Sequence, residues 1–364
     1  MTTQTTQTTH TAPAGGPTPA REALDRVLER VEDRLRGHLD RERDLWATAV
    51  TGHTSAVIPV DAIADLVHAG GKRLRPNFCA SGFLCAGGDP DDPVIVDAAA
   101  ALELLHVFAL IHDDVLDDSP LRRGKPTVHE RYAAEHRAMG WRGEPRRFGE
   151  GVAILAGDLA YVLADTLTAD FPAPAREIWG ELRAEMIIGQ FLDIRSAAAA
   201  TADMRLARWI AVCKSGHYTI HRPLTLGAGL AGRPDLAPAF EGYGVALGEA
   251  FQLRDDLIDA FGASETSGKP VGLDVDQHKM TPLLTVAVER DARVRALVDE
   301  GGDEGWDTAR LRELLAETGV RAEIEAHIDG LVERACAALA GAPIEEPWRR
   351  ILTDMAHRVA HRES

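Results

Sequence analysis

Asp113, Asp114 and Asp117 stand together in "HVFALIHDDVLDDSPLRRGKPTVH", behind an apolar run and just ahead of Arg122 and Arg123. At ~100° per residue, Asp113 and Asp117 fall one turn apart on one helix face. Carboxylates crowded this closely repel one another, and a helix that needs only a wet face mixes its signs. Far downstream, "FQLRDDLID" repeats the spacing: Asp255 and Asp259 share a face, with Asp256 between them and Gln252 one turn ahead. Two helices presenting such faces to each other form a carboxylate-lined cleft. Hard oxygen donors of this kind suit Mg²⁺, which takes one or two carboxylates and completes its shell with water and phosphate oxygens. No thiolate and few imidazoles accompany them, so zinc is disfavoured. One acidic triplet in an acidic chain is usually a solvated helix end; two, each on an apolar helix, point to a metal.

Basic residues supply the counterpart. "GGKRLRP" carries Lys72, Arg73 and Arg75, and "LRRGKPT" carries Arg122 and Arg123. Lys214 follows in "KSG", Lys269 in "SGKP" and Lys279 in "HKMT". Arginine forks grip phosphate oxygens in pairs, and lysines act as point charges. The glycine spacing is not that of a nucleotide-binding P-loop. Each run alone is most often a solvated face. Beside two magnesium-type clusters, they imply one diphosphate handled by metal and a second anion handled by basic side chains. His106 lies nearly on the face of Asp113, two turns earlier; by itself it reads as a core histidine. Tyr218 and His221 read as packing residues.

These groups need rigid elements to hold them. The chain has 364 residues, 45% of them hydrophobic, enough for a sizeable core. A net charge of −17 argues against a general nucleic-acid binder. Leu24, Val27, Leu28, Val31 and Leu35 recur at helical spacing, and helical stretches continue almost to the end, punctuated by "GGDPDDP", "FPAP" and "GRPD". Strand-like alternation is scarce, so the fold class is all-α, with one domain over 21–364. Residues 1–20 hold almost nothing to bury and read as a disordered tail, with docking to a partner or protein shell as the alternative. Residues 138–151 read as a surface loop. Cys79, Cys85, Cys213 and Cys336 form no CxxC pair and read as free thiols in a reducing compartment. No apolar run approaches the ~20 residues of a membrane span, and no signal-peptide layout opens the chain, so a cytoplasmic protein is expected.

In combination and order these motifs resemble those of the trans-isoprenyl diphosphate synthases, or polyprenyl synthetases. The resemblance runs from about residue 60 to 290 and includes "GGKRLRP", "HDDVLDDSPLRRGKPTVH", "GDLA", "GQFLDI", "KSG", "FQLRDDLID" and "GKPVGLDVDQHKMT". It implies a helical bundle around a central cavity, in which Mg²⁺ assists condensation of isopentenyl diphosphate with an allylic diphosphate. By position, Asp113, Asp117, Asp255 and Asp259 would hold Mg²⁺, supported by Asp114 and Asp256. Arg122, Lys214, Gln252, Lys269 and Lys279 would contact the allylic diphosphate. Ser215 keeps a hydroxyl there, where the family usually has threonine. Lys72, Arg75, His106 and Arg123 would hold isopentenyl diphosphate, which raises His106 to a ligand. A terpene cyclase would lack "GGKRLRP", and a non-catalytic subunit would be expected to lose aspartates.

The product tail would grow along the apolar helix that leads to Asp113. Ala109 lies one turn below on the same face, with Leu105 and Leu102 deeper. Periodicity puts Phe108 to the side of that face; the resemblance makes it the floor. An aromatic there, a small neighbour and no insertion in the first cluster look like geranylgeranyl diphosphate synthases (C20), with farnesyl (C15) or longer products as alternatives. The resemblance also implies a homodimer, for which the Ala-rich stretches 97–110 and 152–167 offer flat helix surfaces.

Overall fold

The computed structural model describes residues 18–49, 53–199, 203–262, 279–301 and 306–362. Helices dominate it, as the periodicity requires. α1 runs Pro19–Ala49 and buries Leu24, Val27, Val31, Leu35 and Leu39 along one stripe. It starts two residues before the expected boundary, because the fixed φ of Pro19 suits a first helical turn. α2 (Ile58–His68) and α3 (Leu74–Cys85) follow.

α4 (Pro93–Leu116) is the central element. The Asp92 carboxylate caps it by accepting from the Val94 N–H at 2.9 Å, and Pro93 opens its first turn. It is long and apolar enough to cross a bilayer, contrary to the sequence expectation, yet 67% of its most apolar window is buried inside the protein. A helix apolar all round is a core helix when others cover it, and α1, α3 and α6 pack around this one. That also corrects the interface expectation. Ala98 to Leu105 are buried within the chain, so the Ala-rich part of the 97–110 stretch is core, and His106, Phe108, Ala109 and Leu110 beyond it line an internal cavity.

A two-residue hairpin, β1 (Leu121–Arg122) with β2 (Lys125–Pro126), leads to α5 (Val128–Met139) and α6 (Pro145–Thr166). The expected 138–151 loop is therefore only a short turn. Glu144 ends it by accepting from the Arg146 and Arg147 N–H groups at 2.9 and 2.8 Å, which starts α6 at Pro145. α7 spans Ala173–Ala198 and α8 spans Met204–Ala211. A π-helical segment, Val212–His221, joins α8 to α9 (Arg222–Leu230). α10 (Ala237–Phe261) carries the second acidic cluster. α11 (Pro282–Arg290), α12 (Ala292–Glu300), α13 (Thr308–Glu317), α14 (Val320–Ala340) and α15 (Glu346–Ala360) complete the bundle, with α14 packed along α10. All four cysteines are free, and burial pushes the Cys85 thiol up to about 12.

Candidate active site

The first acidic cluster sits at the C-terminal end of α4, with Asp117 closing the helix. Its three carboxylates have three different partners. Asp113 accepts from Gln190 Nε2 at 3.0 Å and lies 3.6 Å from Lys214 Nζ. Asp117 accepts from Lys279 Nζ at 3.0 Å. Asp114 is buried and held by Arg122, whose Nε and terminal nitrogen donate at 2.6 to 2.9 Å. Burial, then the neighbouring Asp113, raises the Asp117 pKa above the usual carboxylate value. Lys214 is shifted upward: burial works against its charge, but Asp113 and Asp193 outweigh that. Asp193 binds Lys214 directly, at 2.7 Å.

Lys214 reaches this position from the π segment, whose wider turn is a common device at functional sites. That segment crosses α10 backbone to backbone. A Cβ on Gly216 would meet Gly248 Cα at 2.9 Å, and one on Gly248 would meet Gly216 Cα at 2.3 Å. Any larger residue at either position forces the two helices apart. Ser215 belongs to the segment, but its side chain lies outside what the structure describes, as does the whole of Lys269.

The second cluster faces the first across the cavity. Asp255 lines the cavity and pairs with Arg362, whose guanidinium lies 4.1 Å from the Phe251 ring centroid. Asp256 is buried, accepting from Gln252 Nε2 at 2.9 Å and from the Leu283 N–H at 3.3 Å. It thus fixes α11 to α10, a supporting role. Asp259 borders a small recess shared with Lys279 and Thr281. Lys279 therefore stands between the two clusters.

The basic loop is held from behind by Arg73, which has a left-handed backbone (φ 46°). Its guanidinium donates to Glu32 of α1 at 2.6 and 3.1 Å, to Glu103 of α4 at 2.5 Å and to the Val67 carbonyl at 2.7 Å. On either side, Lys72 and Arg75 line the cavity with His106, Arg123 and Tyr218. Arg123 also donates to the Gly70 carbonyl. Burial, then Arg362, lowers the Lys72 pKa. Burial, then Arg75, drives the His106 pKa well below its ordinary value, so its ring is neutral. Tyr218 is more than packing: the Arg75 guanidinium lies over its ring, 4.2 Å from the centroid. His221 is buried away from the cavity.

The cavity has a volume of about 690 Å³. Its upper wall carries the charged groups; Phe108, Ala109, Met186 and Ile187 form an apolar lower part. Leu105 and Leu102 do not reach it. Both are fully buried, because the deeper turns of α4 are covered on every side. Arg122 borders the cavity but is committed to Asp114, and Gln252 to Asp256, so both hold carboxylates in place. Sequence reasoning missed Gln190, Asp193 and Arg362 as members of the site. The first two were within sight in "GQFLDI", at positions i and i+3.

Among the described residues no three His, Cys, Asp or Glu side chains converge as a finished metal cage. The donor chemistry still fits a hard cation. Asp113 and Asp255 line one cavity from opposite sides, and the positive charge they face is ammonium or guanidinium, of the kind a divalent ion replaces.

Comparison with known proteins shows the family to which the chain belongs. The polyprenyl synthetase family model matches residues 59–317. A short chain isoprenyl diphosphate synthase of Methanothermobacter thermautotrophicus is 35% identical over 242 residues, covering 63% of this chain and 66% of that protein. A nonaprenyl diphosphate synthase of Mycobacterium tuberculosis is 32% identical over 260 residues, 70% of this chain and 71% of its own. Among solved structures, geranylgeranyl pyrophosphate synthase from Corynebacterium glutamicum, complexed with isoprenyl diphosphate and magnesium, superposes with a TM-score of 0.84 at 38% identity, covering 93% of this chain and 99% of its own. The chain belongs to the polyprenyl synthetase family and is a prenyltransferase of the isoprenyl diphosphate synthase type.

Proposed function

We propose that this enzyme condenses isopentenyl diphosphate with an allylic diphosphate in a Mg²⁺-assisted reaction and stops at C20. The observation that carries the reading is one cavity lined by an aspartate from each acidic cluster, Asp113 and Asp255, and by the apolar Phe108, Ala109, Met186 and Ile187. The magnesium in the Corynebacterium glutamicum structure supports the metal, and that protein's geranylgeranyl product supports the length. Mg²⁺ held by Asp113, Asp117, Asp255 and Asp259 would neutralise the diphosphate charge that grows as the leaving group departs.

The chain's own residues do the rest. Lys214 and Lys279 would contact the allylic diphosphate; each pairs with a carboxylate of the first cluster, which supports that role. Lys72, Arg75 and neutral His106 orient the second diphosphate, so that the isopentenyl double bond meets the allylic carbon at near-attack distance. The apolar chamber excludes water from the carbocation. The C–O bond of the allylic diphosphate breaks, a C–C bond forms, and a proton leaves the new chain to the released diphosphate.

Two copies would pair through α6 and α7, where Leu155, Val162, Ile188 and Phe191 are exposed. The four free cysteines support a reducing compartment, the cytoplasm. The test is incubation of the full chain with Mg²⁺, isopentenyl diphosphate and each allylic primer, followed by product-length analysis. A C20 alcohol after dephosphorylation is expected. A dominant C15 or C45 product would sink the length assignment, and no condensation with any primer would sink the reaction.

A further inference from the structure

Lys214 stands between two carboxylates that belong to different helices and face different spaces. Asp113 of α4 lines the main cavity, whereas Asp193 of α7 lines a separate recess of about 80 Å³. Lys214 borders both. The two contacts are unequal. Lys214 Nζ donates to Asp193 at 2.7 Å, a charge-assisted hydrogen bond, but lies 3.6 Å from Asp113, beyond hydrogen-bond reach. Asp113 accepts instead from the neutral side chain of Gln190, at 3.0 Å.

Helix α7 supplies both halves of this arrangement. Gln190 and Asp193 are three residues apart and so are neighbours on one helix face. The backbones are held just as closely. A Cβ on Gly189 would meet the Lys214 backbone N at 3.0 Å and Cα at 3.3 Å. The π segment is thus pressed against α7, and Lys214 can shift only through its side chain. The recess beside Asp193 gives the ammonium room to do so.

Once Asp113 binds a divalent ion, two positive charges stand where the ammonium already is, and like charges at that range repel. Lys214 must then give up Asp113 without leaving the site. We propose that Asp193 is a positioning residue, which becomes the counter-ion of Lys214 when the metal takes Asp113. It holds one of the three ammonium protons and leaves the other two for the allylic diphosphate. With Asp193 neutralised, Asp113 is the carboxylate left to Lys214 among the described residues, and lysine and metal compete for it. This rests on the synthase reading above.

The experiment measures Mg²⁺ uptake by the full chain in a calorimeter, with inorganic diphosphate present to supply phosphate oxygens without reacting. Wild type, Asp193→Asn, Lys214→Gln and the double variant are compared, with melting curves to show that each is folded. Asp193→Asn weakens Mg²⁺ binding on the order of 10-fold or more, as loss of a partner behind a metal ligand does. Asp193→Glu restores most of that affinity. In the Lys214→Gln background Asp193→Asn has little further effect, because no ammonium remains to compete for Asp113. If a single variant does not fold, Asp193→Ser or Lys214→Met takes its place, with the same expectation. An equal loss in both backgrounds makes Asp193 a metal ligand in its own right and overturns the proposal, as does wild-type affinity in Asp193→Asn. A wild type that takes up Mg²⁺ but condenses no primer overturns the synthase reading instead.

Discussion

Arg122 closes on Asp114 through two nitrogens at 2.6 to 2.9 Å, and both side chains are more than nine-tenths buried. A buried pair loses far more when one partner is removed than it contributes when intact, because the other charge is stranded. Arg122→Leu should therefore destabilise the protein by about 3–5 kcal/mol. Urea unfolding checks this; a loss within about 1 kcal/mol would show that Asp114 does not depend on Arg122.

Asp113 and Asp255 line the cavity, and their side chains keep 29% and 42% of their exposure, so neither is a pillar of the core. Asp113→Ala or Asp255→Ala should lower turnover on the order of 10²-fold or more while leaving the melting curve nearly unchanged. Near-normal turnover with Mg²⁺ present would remove the metal assignment.

Ala109 lines the apolar part of the cavity beside Phe108. Ala109→Phe should shorten products toward C15, at a cost of roughly 1–3 kcal/mol in stability from overpacking. Product ratios measured beside unfolding curves separate the two effects. Wild-type lengths from a folded variant would place the growing tail elsewhere.

On α6, Leu155 is 64% exposed, and on α7 Phe191 is 55% exposed. If these faces bury each other's copies, Leu155→Arg with Phe191→Arg should convert a dimer to a monomer in sedimentation velocity. Wild-type protein that sediments as a monomer at all concentrations and retains full activity would refute the pairing.

His221 is depressed to a pKa of about 3, by burial first and then by His217 and Arg222. The unfolded chain takes up this proton at about pH 6.5, while the native state refuses it down to about pH 3. Stability contributed by the neutral ring is therefore complete above about pH 6.5 and is lost progressively below it. Between pH 6.5 and 5 the loss should be on the order of 2 kcal/mol, and His221→Gln should flatten that slope. Parallel pH–stability curves for the two proteins would exclude His221 as the source.

The acidic clusters and the basic loop were legible in the sequence because like charges crowded onto an apolar helix repel one another unless a counter-charge sits among them. Phe108 was visible as an aromatic neighbour of Ala109, but the Tyr161 ring of α6 that it meets edge-on was not, since that contact joins two helices of unrelated register. Gln190 and Asp193 escaped assignment because single polar residues on a long helix look like a wet face. Their partners Asp113 and Lys214 come from two other elements. The 97–110 stretch misled for the opposite reason. Small apolar residues suit a flat interface between copies and a tight core equally well, and only the surrounding helices decide.

The π segment gives this enzyme a reading frame within a helix. Bonding from i to i+5 makes each hydrogen-bonded ring one residue longer than in an α-helix, as if a residue had been inserted. Removing a single residue there, such as Cys213, would let the segment relax to α geometry. The turns on either side would then stay nearly in register, but the residues within the segment would shift around its axis. Lys214 would leave Asp113 and Asp193, although no functional side chain had been changed. Surface loops usually tolerate length changes; this stretch should not, and a Cys213 deletion that stays helical by circular dichroism yet loses condensation would show it. The spacing of the site is thus written partly in residue number, a constraint that substitution scanning alone would never register.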